Sequence, residues 1–350
     1  MTHLWVRAEQ RENEQRVGVT PDGVAALRTA GITVTVETSS VCCIPTAEFA
    51  QAGATIAAEN TWPSAPDDAI VFGLKELPED GTPLRHRHIM FGHAFKGQPA
   101  GLRLLKRFRA GGGALYDLEY LVDETGRRCA AFGYWAGYAG AAVSLKSWTA
   151  QQRGDLCGAL TPYESSAQLL SEIRSELQAL GGQNPDALVI GALGRVGTGA
   201  SDLCQAAGVA VTKWDMDETA HGGPFPEVLS HDIFLNCILA RPGTPVFVPQ
   251  SAITSPRKLS VIGDIACDPE SDFSPIKVYD QTTTWQAPAL RVHKTLDVTA
   301  IDNLPSLLPK ESSEDFAAQL LPCLESLPTL DKGVWRRANE TYLKHMRQLS

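Results

Sequence analysis

The sequence predicts an α/β protein built on two doubly wound, mainly parallel sheets. Three observations carry that expectation: strand-like apolar runs alternate with helical patterns twice along the chain, a glycine-spaced turn separates a strand from a helix near residue 190, and 350 residues suit two cores better than one. In the first set, residues 4–7 read as a strand. Thr20 and Pro21 then supply an N-cap and a first helical position for a helix reaching residue 30. Further strands are expected at 32–37, 69–74, 88–91 and 114–118, with an amphipathic helix at 102–110. The second set places strands from 187, at 209–214, at 233–239 and at 259–265. Two Rossmann-like domains follow, with the active site expected in the cleft between them. Their expected bounds are 1–132 plus 331–350 for a substrate and catalytic domain, and 133–330 for a nucleotide-binding domain.

Between the two sets, residues 129–148 are rich in alanine, glycine and aromatic side chains. Arg127 and Arg128 precede this stretch and Lys146 falls inside it, so it reads as a helix packed closely between domains and not as a membrane span. Residues 334–350 carry Arg336, Arg337, Lys344 and Arg347 around Trp335, Tyr342 and Met346. That pattern predicts a terminal amphipathic helix docked on the first domain.

The stretch 186–200 is the richest in chemistry. A buried-strand run stops at Gly191, and Gly191, Gly194 and Gly197 open a helix near Val196. Bare backbone there lets a pyrophosphate approach the positive end of a helix. A second strand ends at Asp215, close to the offset at which a carboxylate takes the ribose hydroxyls of NAD and repels the 2′-phosphate of NADP. NAD is therefore the expected cofactor.

Two ionisable residues stand where open α/β sheets place their sites, at carboxyl ends of strands: Lys75 after Ile-Val-Phe-Gly-Leu, and His93 after Ile-Met-Phe-Gly. Neighbouring strands would bring them together as an acid–base pair, because a desolvated lysine and a histidine both titrate near neutrality. Arg7, Arg11, Arg16, Lys96, Arg127 and Arg128 gather in loops near the same edge. Carboxylate recognition explains two or three of them, and the others balance acids such as Glu9, Glu12 and Glu14.

A formal net charge of −9 argues against a nucleic-acid footprint and against anionic membranes, which leaves small molecules as partners. The amino-terminal residues lack a basic segment followed by an apolar core, so the cytoplasm is the expected compartment. The eight cysteines show no Cys-x-x-Cys spacing, and the adjacent pair Cys42–Cys43 has no histidine cluster beside it. Buried or incidental thiols and no metal are expected. Oligomeric state is left open, with a monomer compatible.

Several long segments, collinear and spread over nearly the whole chain, resemble the family of NAD-dependent, lysine-forming saccharopine dehydrogenases of fungal lysine biosynthesis. They are Arg-Ala-Glu at 7–9, Gly-Leu-Lys-Glu-Leu-Pro-Glu at 73–79, Gly-His-Ala-Phe-Lys-Gly-Gln at 92–98, Leu-Tyr-Asp-Leu-Glu at 115–119 and Gly-Arg-Arg-Cys-Ala-Ala-Phe-Gly at 126–133. Others are Gly-Ala-Leu-Gly-Arg-Val-Gly at 191–197, Lys-Trp-Asp at 213–215, His-Gly-Gly-Pro-Phe at 221–225 and Asp-Asn-Leu-Pro-Ser-Leu-Leu-Pro at 302–309. The architecture is more distantly similar to alanine dehydrogenase and transhydrogenase.

The resemblance implies an oxidoreductase acting on a secondary-amine dicarboxylic amino acid: saccharopine, NAD and water give lysine, 2-oxoglutarate and NADH. It implies Lys75 as the base toward the secondary amine and His93 as the group serving imine hydrolysis. It puts Arg16, Arg128 and Phe132 near the substrate, where Lys96 joins them from its place beside His93. Near the cofactor it puts Arg127, Gly194, Arg195, Val196, Asp215, Thr219, Leu239, Ile265 and Asp302. The chain departs from the family at Ala266, where a serine is expected, and at Val196 and Leu239, which stand for a cysteine and a tyrosine. The first removes a hydroxyl and bears on amino-acid selectivity; the second removes one partner for Cys237. An opine-type dehydrogenase joining a different amino acid and 2-oxo acid is the alternative enzyme, and an NAD(H)-sensing binding protein the alternative outside enzymes.

Overall fold

A computed structural model describes residues 1–11 and 14–349, so Glu12 lies outside the described residues. The chain forms two compact units, Met1–Ala131 with Ser312–Ser350, and Phe132–Glu311.

The first unit begins with β1 (His3–Val6), α1 (Pro21–Thr29), β2 (Thr33–Glu37), α2 (Thr46–Gln51) and β3 (Thr55–Ala57). It continues with β4 (Ile70–Phe72), β5 (Arg87–Met90), α3 (Pro99–Gly111) and β6 (Ala114–Asp117). The six strands run parallel in the order β3-β2-β1-β4-β5-β6. The chain works outward from β1 to β3, then returns to build from β4 on the other side, so β1 and β4 flank the switch point where such sheets open a crevice. Ile70, Val71 and Phe72 are fully buried, the continuous apolar run of a strand covered on both faces. The Thr20 hydroxyl accepts the Gly23 N–H at 3.2 Å and caps α1 as its sequence predicts. Gly112, left-handed at φ +76, closes α3 by donating to the Phe108 carbonyl.

The second unit holds α4 (Gly133–Gln152), α5 (Ser166–Ala179), β7 (Asp186–Ile190), α6 (Arg195–Ala206), β8 (Ala210–Trp214), α7 (Met216–Thr219) and α8 (Pro226–Ser230). After these come β9 (Ile233–Asn236), β10 (Val261–Asp264), β11 (Leu290–His293) and β12 (Leu296–Thr299). The sheet order is β11-β12-β10-β9-β7-β8, parallel except for β11 against β12. Its switch point lies between β7 and β9.

The small residues of α4 serve close helix packing. They let α4 and α6 touch backbone to backbone inside the second unit. A Cβ on Gly137 would lie 1.8 Å from the Val196 carbonyl oxygen, and one on Gly199 would lie 1.9 Å from that of Tyr134. Among the described residues no helix is long and apolar enough to cross a membrane.

The chain then re-enters the first unit through α9 (Pro309–Glu325) and α10 (Gly333–Gln348). This return corrects two expected bounds: Phe132 opens the second unit, and the first resumes at Ser312 instead of residue 331. The physical reason is the apolar face of α9. Phe316 and Leu320 are fully buried, Phe316 lies 6.0 Å from the Phe91 ring, and the Ser313 hydroxyl accepts the Val17 N–H at 3.0 Å. α10 docks on the same unit as its amphipathic pattern predicts. Trp335 is buried edge-on to Tyr116, and the Tyr342 hydroxyl donates to the Gly113 carbonyl at 3.0 Å.

Candidate active site

In the first unit the functional groups follow directly on the strand ends. Leaving β1, the chain presents Arg7 and Glu9; leaving β4, it presents Lys75. The Glu9 carboxylate accepts both the Leu74 N–H at 2.6 Å and the Lys75 N–H at 3.0 Å. Buried Arg7 donates in return to the Lys75 carbonyl, to the Ala8 carbonyl at 3.1 Å and to Glu9 at 3.5 Å. The backbone that carries Lys75 is thus clamped across the switch point by an acid and a base from the neighbouring strand. Arg7 belongs to that clamp.

β5 delivers His93 one strand away from Lys75. His93 is left-handed at φ +47, a conformation that costs a non-glycine residue about 1–3 kcal/mol and is retained where a side chain must be aimed. Its imidazole stacks on Phe91, and Nδ1 lies 3.9 Å from Glu119 Oε2. Partial burial lowers the His93 pKa, opposed by the carboxylates of Glu119 and Glu76, so the ring is neutral at physiological pH and can accept a proton.

β6 adds two acids that strand-end reasoning applied only to Lys75 and His93 missed. Asp117 is fully buried and accepts the Gly92 N–H at 3.2 Å and the Glu119 N–H at 2.9 Å. It therefore holds the backbone on the amino side of His93 and the residue that faces it. Burial pushes the Asp117 pKa up to about 6. Glu119 Oε1 accepts Lys96 Nζ at 2.9 Å and Arg128 Nη2 at 3.2 Å. Its Oε2 is buried and has no hydrogen-bond partner among the described residues.

Of the cations expected to bind substrate, Lys96 and Arg128 converge on Glu119 beside His93, while Arg16 is 2% exposed and forks onto Glu14 at 2.8 and 2.7 Å. Burial opposes ionisation of Glu14, but the Arg16 guanidinium outweighs it and holds the acid below its usual range. Each of these three cations already holds a carboxylate of the chain. Arg11 lies 3.8 Å from Glu76, and Arg127 sits exposed in a turn closed by Asp123. Beside His93, the 76–81 segment and α3 enclose a groove of about 410 Å³ that includes Leu77, Gly101 and Leu104.

In the second unit, the expected cofactor residues cluster at the carboxyl ends of β7 and β8. Gly191 is left-handed at φ +87, and a Cβ on Gly197 would meet the Gly191 carbonyl oxygen at 2.1 Å. Gly194 is the exposed N-cap of α6, followed by Arg195 and half-exposed Val196. Asp215 caps α7, accepting the Met216 N–H at 3.0 Å, while its other oxygen accepts the Leu193 N–H at 3.0 Å and ties the acid to the glycine turn. Thr219 donates back to the Asp215 carbonyl at 2.9 Å. A bare turn, a 12-residue helix behind it and an acid hydrogen-bonded to its rim fit the diphosphate and ribose of a dinucleotide. Leu239, 62% exposed, follows β9; Ile265 follows β10 and packs against Gly140; Asp302 follows β12. Strand polarity thus brings all of these to one edge of one sheet. Ala266 lies just beyond buried Asp264, which accepts from Asn236 at 2.9 Å and from the Tyr279 hydroxyl. Among the described residues, no group of three or more His, Cys, Asp or Glu side chains is placed to hold a metal.

Comparison with known proteins adds the chemistry. The family model "Alanine dehydrogenase/PNT, N-terminal domain" matches residues 5–139. The chain is 43% identical to a protein of Yarrowia lipolytica named saccharopine dehydrogenase [NAD(+), L-lysine-forming], over 98% of this chain and 97% of the relative. It is 42% identical to the protein of the same name from Candida albicans, over 99% and 97%. Among solved structures, an L-alanine dehydrogenase superposes with a TM-score of 0.70 at 17% identity, covering 99% of each chain, a likeness of fold.

Proposed function

Because the chain belongs to the family of NAD-dependent, L-lysine-forming saccharopine dehydrogenases, we propose that it oxidises saccharopine to lysine and 2-oxoglutarate, and runs the reverse reductive amination, with Lys75 and His93 as its proton-transfer groups. The observation that carries this reading is their placement at the ends of the paired parallel strands β4 and β5. In this reading the unit holding Phe132–Glu311 binds NAD, and the other unit binds the amino acid.

Gly191, Gly194, Arg195, Val196 and Gly197 hold the diphosphate side, and Asp215 with Thr219 holds the ribose side; Leu239, Ile265 and Asp302 complete that surface, and the family resemblance adds Arg127 to the residues assigned to the cofactor. Bound NAD supplies a hydride acceptor for the carbon that bears the secondary amine. Lys75 takes the amine proton, which frees the nitrogen lone pair to form the substrate imine as the hydride departs. His93, neutral at rest, then takes a proton from the attacking water and returns one to the departing lysine nitrogen. The substrate carboxylates compete with Glu119 for Lys96 and Arg128, and the family resemblance assigns Arg16 and Phe132 to the substrate as well. We place the reaction in the cytoplasm, where thiols stay reduced, which agrees with eight free cysteines.

The test is a matrix of amino acids against 2-oxo acids, followed by NADH oxidation. Lysine with 2-oxoglutarate is expected to turn over fastest. A different preferred pair would assign the chain to another opine-type reaction, as the missing hydroxyl at Ala266 makes worth measuring. NADH binding without turnover across the whole matrix would make it a sensor. NAD is expected to exceed NADP in kcat/KM, and Asp215→Ala to narrow that gap while weakening NAD binding. Equal kcat/KM for both cofactors in the unaltered protein would remove Asp215 from the ribose site.

A further inference from the structure

Cys42 and Cys43 lie in the loop that joins β2 to α2, and the reaction just described makes no use of them. Both are free thiols and both are half-buried. The loop is tied on each side of the pair. Cys42 N donates to the Ser39 hydroxyl at 3.1 Å, and Cys43 N donates to the Gln15 carbonyl at 2.8 Å. Cys43 Sγ lies 3.7 Å from the Ser313 hydroxyl, the same hydroxyl that accepts the Val17 N–H. Cys43 is therefore bonded, directly and through Ser313, to the residues immediately before and after Arg16. Cys42 in turn lines a cleft of about 20 Å³, room for one water-sized group, together with Glu9, Glu14 and Arg16.

We propose that Cys42 and Cys43 form a modification site at which a two-electron oxidant of the peroxide class closes a disulfide between adjacent residues and thereby alters the Arg16–Glu14 pair. The two thiols are neighbours in the loop and shift one another in opposite directions. The Cys42 thiol beside it and the Ser313 hydroxyl at 3.7 Å favour the Cys43 thiolate and lower its pKa against the opposing effect of burial, whereas the Cys42 pKa is raised. Cys43 is accordingly the attacking sulfur and Cys42 the resolving one.

The atoms balance in two steps. The Cys43 sulfur attacks one peroxide oxygen; an S–O bond forms, the O–O bond breaks, and the other oxygen leaves as water with the thiol proton. The Cys42 sulfur then attacks the Cys43 sulfur; the S–S bond forms, the S–O bond breaks, and a second water leaves with the Cys42 proton. Two thiols are oxidised by two electrons and one peroxide is reduced to two waters. An external thiol reverses the change. Rotation of Cys43 Sγ toward Cys42 removes it from Ser313, on which the Val17 end of the Arg16 segment rests. The disulfide stands on its own chemistry, and its effect on turnover rests on the proposed role of Arg16.

The full chain, treated with hydrogen peroxide, alkylated and digested, is expected to yield a peptide with Cys42 and Cys43 unalkylated and two hydrogens lighter, restored by dithiothreitol. Cys42→Ser and Cys43→Ser should each abolish it. Alkylation of both residues after peroxide, a higher oxide at Cys43 with Cys42 still free, or a bond from either residue to a different cysteine would overturn the site. Mapping in the unaltered protein decides this even where a variant fails to fold. In the same samples KM for the amino acid should rise several-fold on oxidation and recover on reduction, with no response in Cys43→Ser. A disulfide that forms without any change in KM would overturn the link to Arg16. A protein inert before oxidation would instead reject the proposed reaction while the mapping still judged the thiol site.

Discussion

Asp117 shows how much one side chain can organise here. Its two oxygens fix the amides of Gly92 and Glu119, so it sets both the left-handed turn at His93 and the acid opposite the imidazole. Burial raises its pKa to about 6 from an ordinary value near 4. The folded state therefore binds that proton more tightly than the unfolded state, and stability falls as pH rises through the window from about 4 to about 6. Asp117→Asn, which keeps the shape and carries no charge, is expected to flatten this part of the stability profile in urea titrations across that window. An unchanged slope would show that the carboxyl is not the titrating group. The two proton-transfer residues make a separate prediction: Lys75→Met and His93→Gln should each lower kcat about 10- to 10,000-fold with NADH affinity nearly unaltered. Because the His93 pKa is lowered, the ionisation lost in His93→Gln should lie on the acidic side of the kcat/KM profile, below the ordinary histidine value. Near-native kcat in Lys75→Met would return that residue to a surface charge.

At the scale of the element, the strand–turn–helix unit β7–α6 separates what its glycines do for the fold from what they do for a ligand. Gly197 has no room for a side chain, since a Cβ there would press on the Gly191 carbonyl and on Ala192 Cα at 2.5 Å. Gly194 has room, with its nearest neighbour at 3.4 Å. Gly197→Ala should thus destabilise the unit by about 1–3 kcal/mol, the usual cost of overpacking. Gly194→Ala should cost about 1 kcal/mol at most as an N-cap change, yet weaken NADH binding at least about tenfold by adding a methyl group where the diphosphate approaches. Thermal melts with parallel NADH titrations test both, and equal losses of stability would contradict this division. The α4–α6 contact obeys the same rule: Gly137 and Gly199 are there because two backbones meet.

For the whole molecule, the return of the chain through α9 and α10 completes the first unit. Trp335 is fully buried, donates from Nε1 to the Cys323 carbonyl at 2.9 Å and lies edge-on to Tyr116 of β6. Trp335→Ala should cost about 3–5 kcal/mol, as expected for emptying a large aromatic site. The loss should appear in the melting of the first unit, with NADH binding kept in the fraction still folded. A loss below 1 kcal/mol would mean that β6 closes its own edge without the terminal helix.

Local rules were enough to locate the repeated strand–helix pattern, the Thr20 cap, the glycine turn ending β7, the acid ending β8, and Lys75 and His93. Each is specified by residues next to one another: an apolar run, a capping hydroxyl, or a polar group where the run stops. What only the tertiary structure decided involves partners far apart in the chain. Glu9 receives the Lys75 amide from another strand, Glu119 gathers Lys96 from the next strand end, and α9 joins the first unit well before residue 331. A charged side chain near a strand end looks alike in sequence whether it faces a ligand or its own chain. Burial and the position of the nearest opposite charge decide between the two, and both exist only once the sheet has brought its strands together.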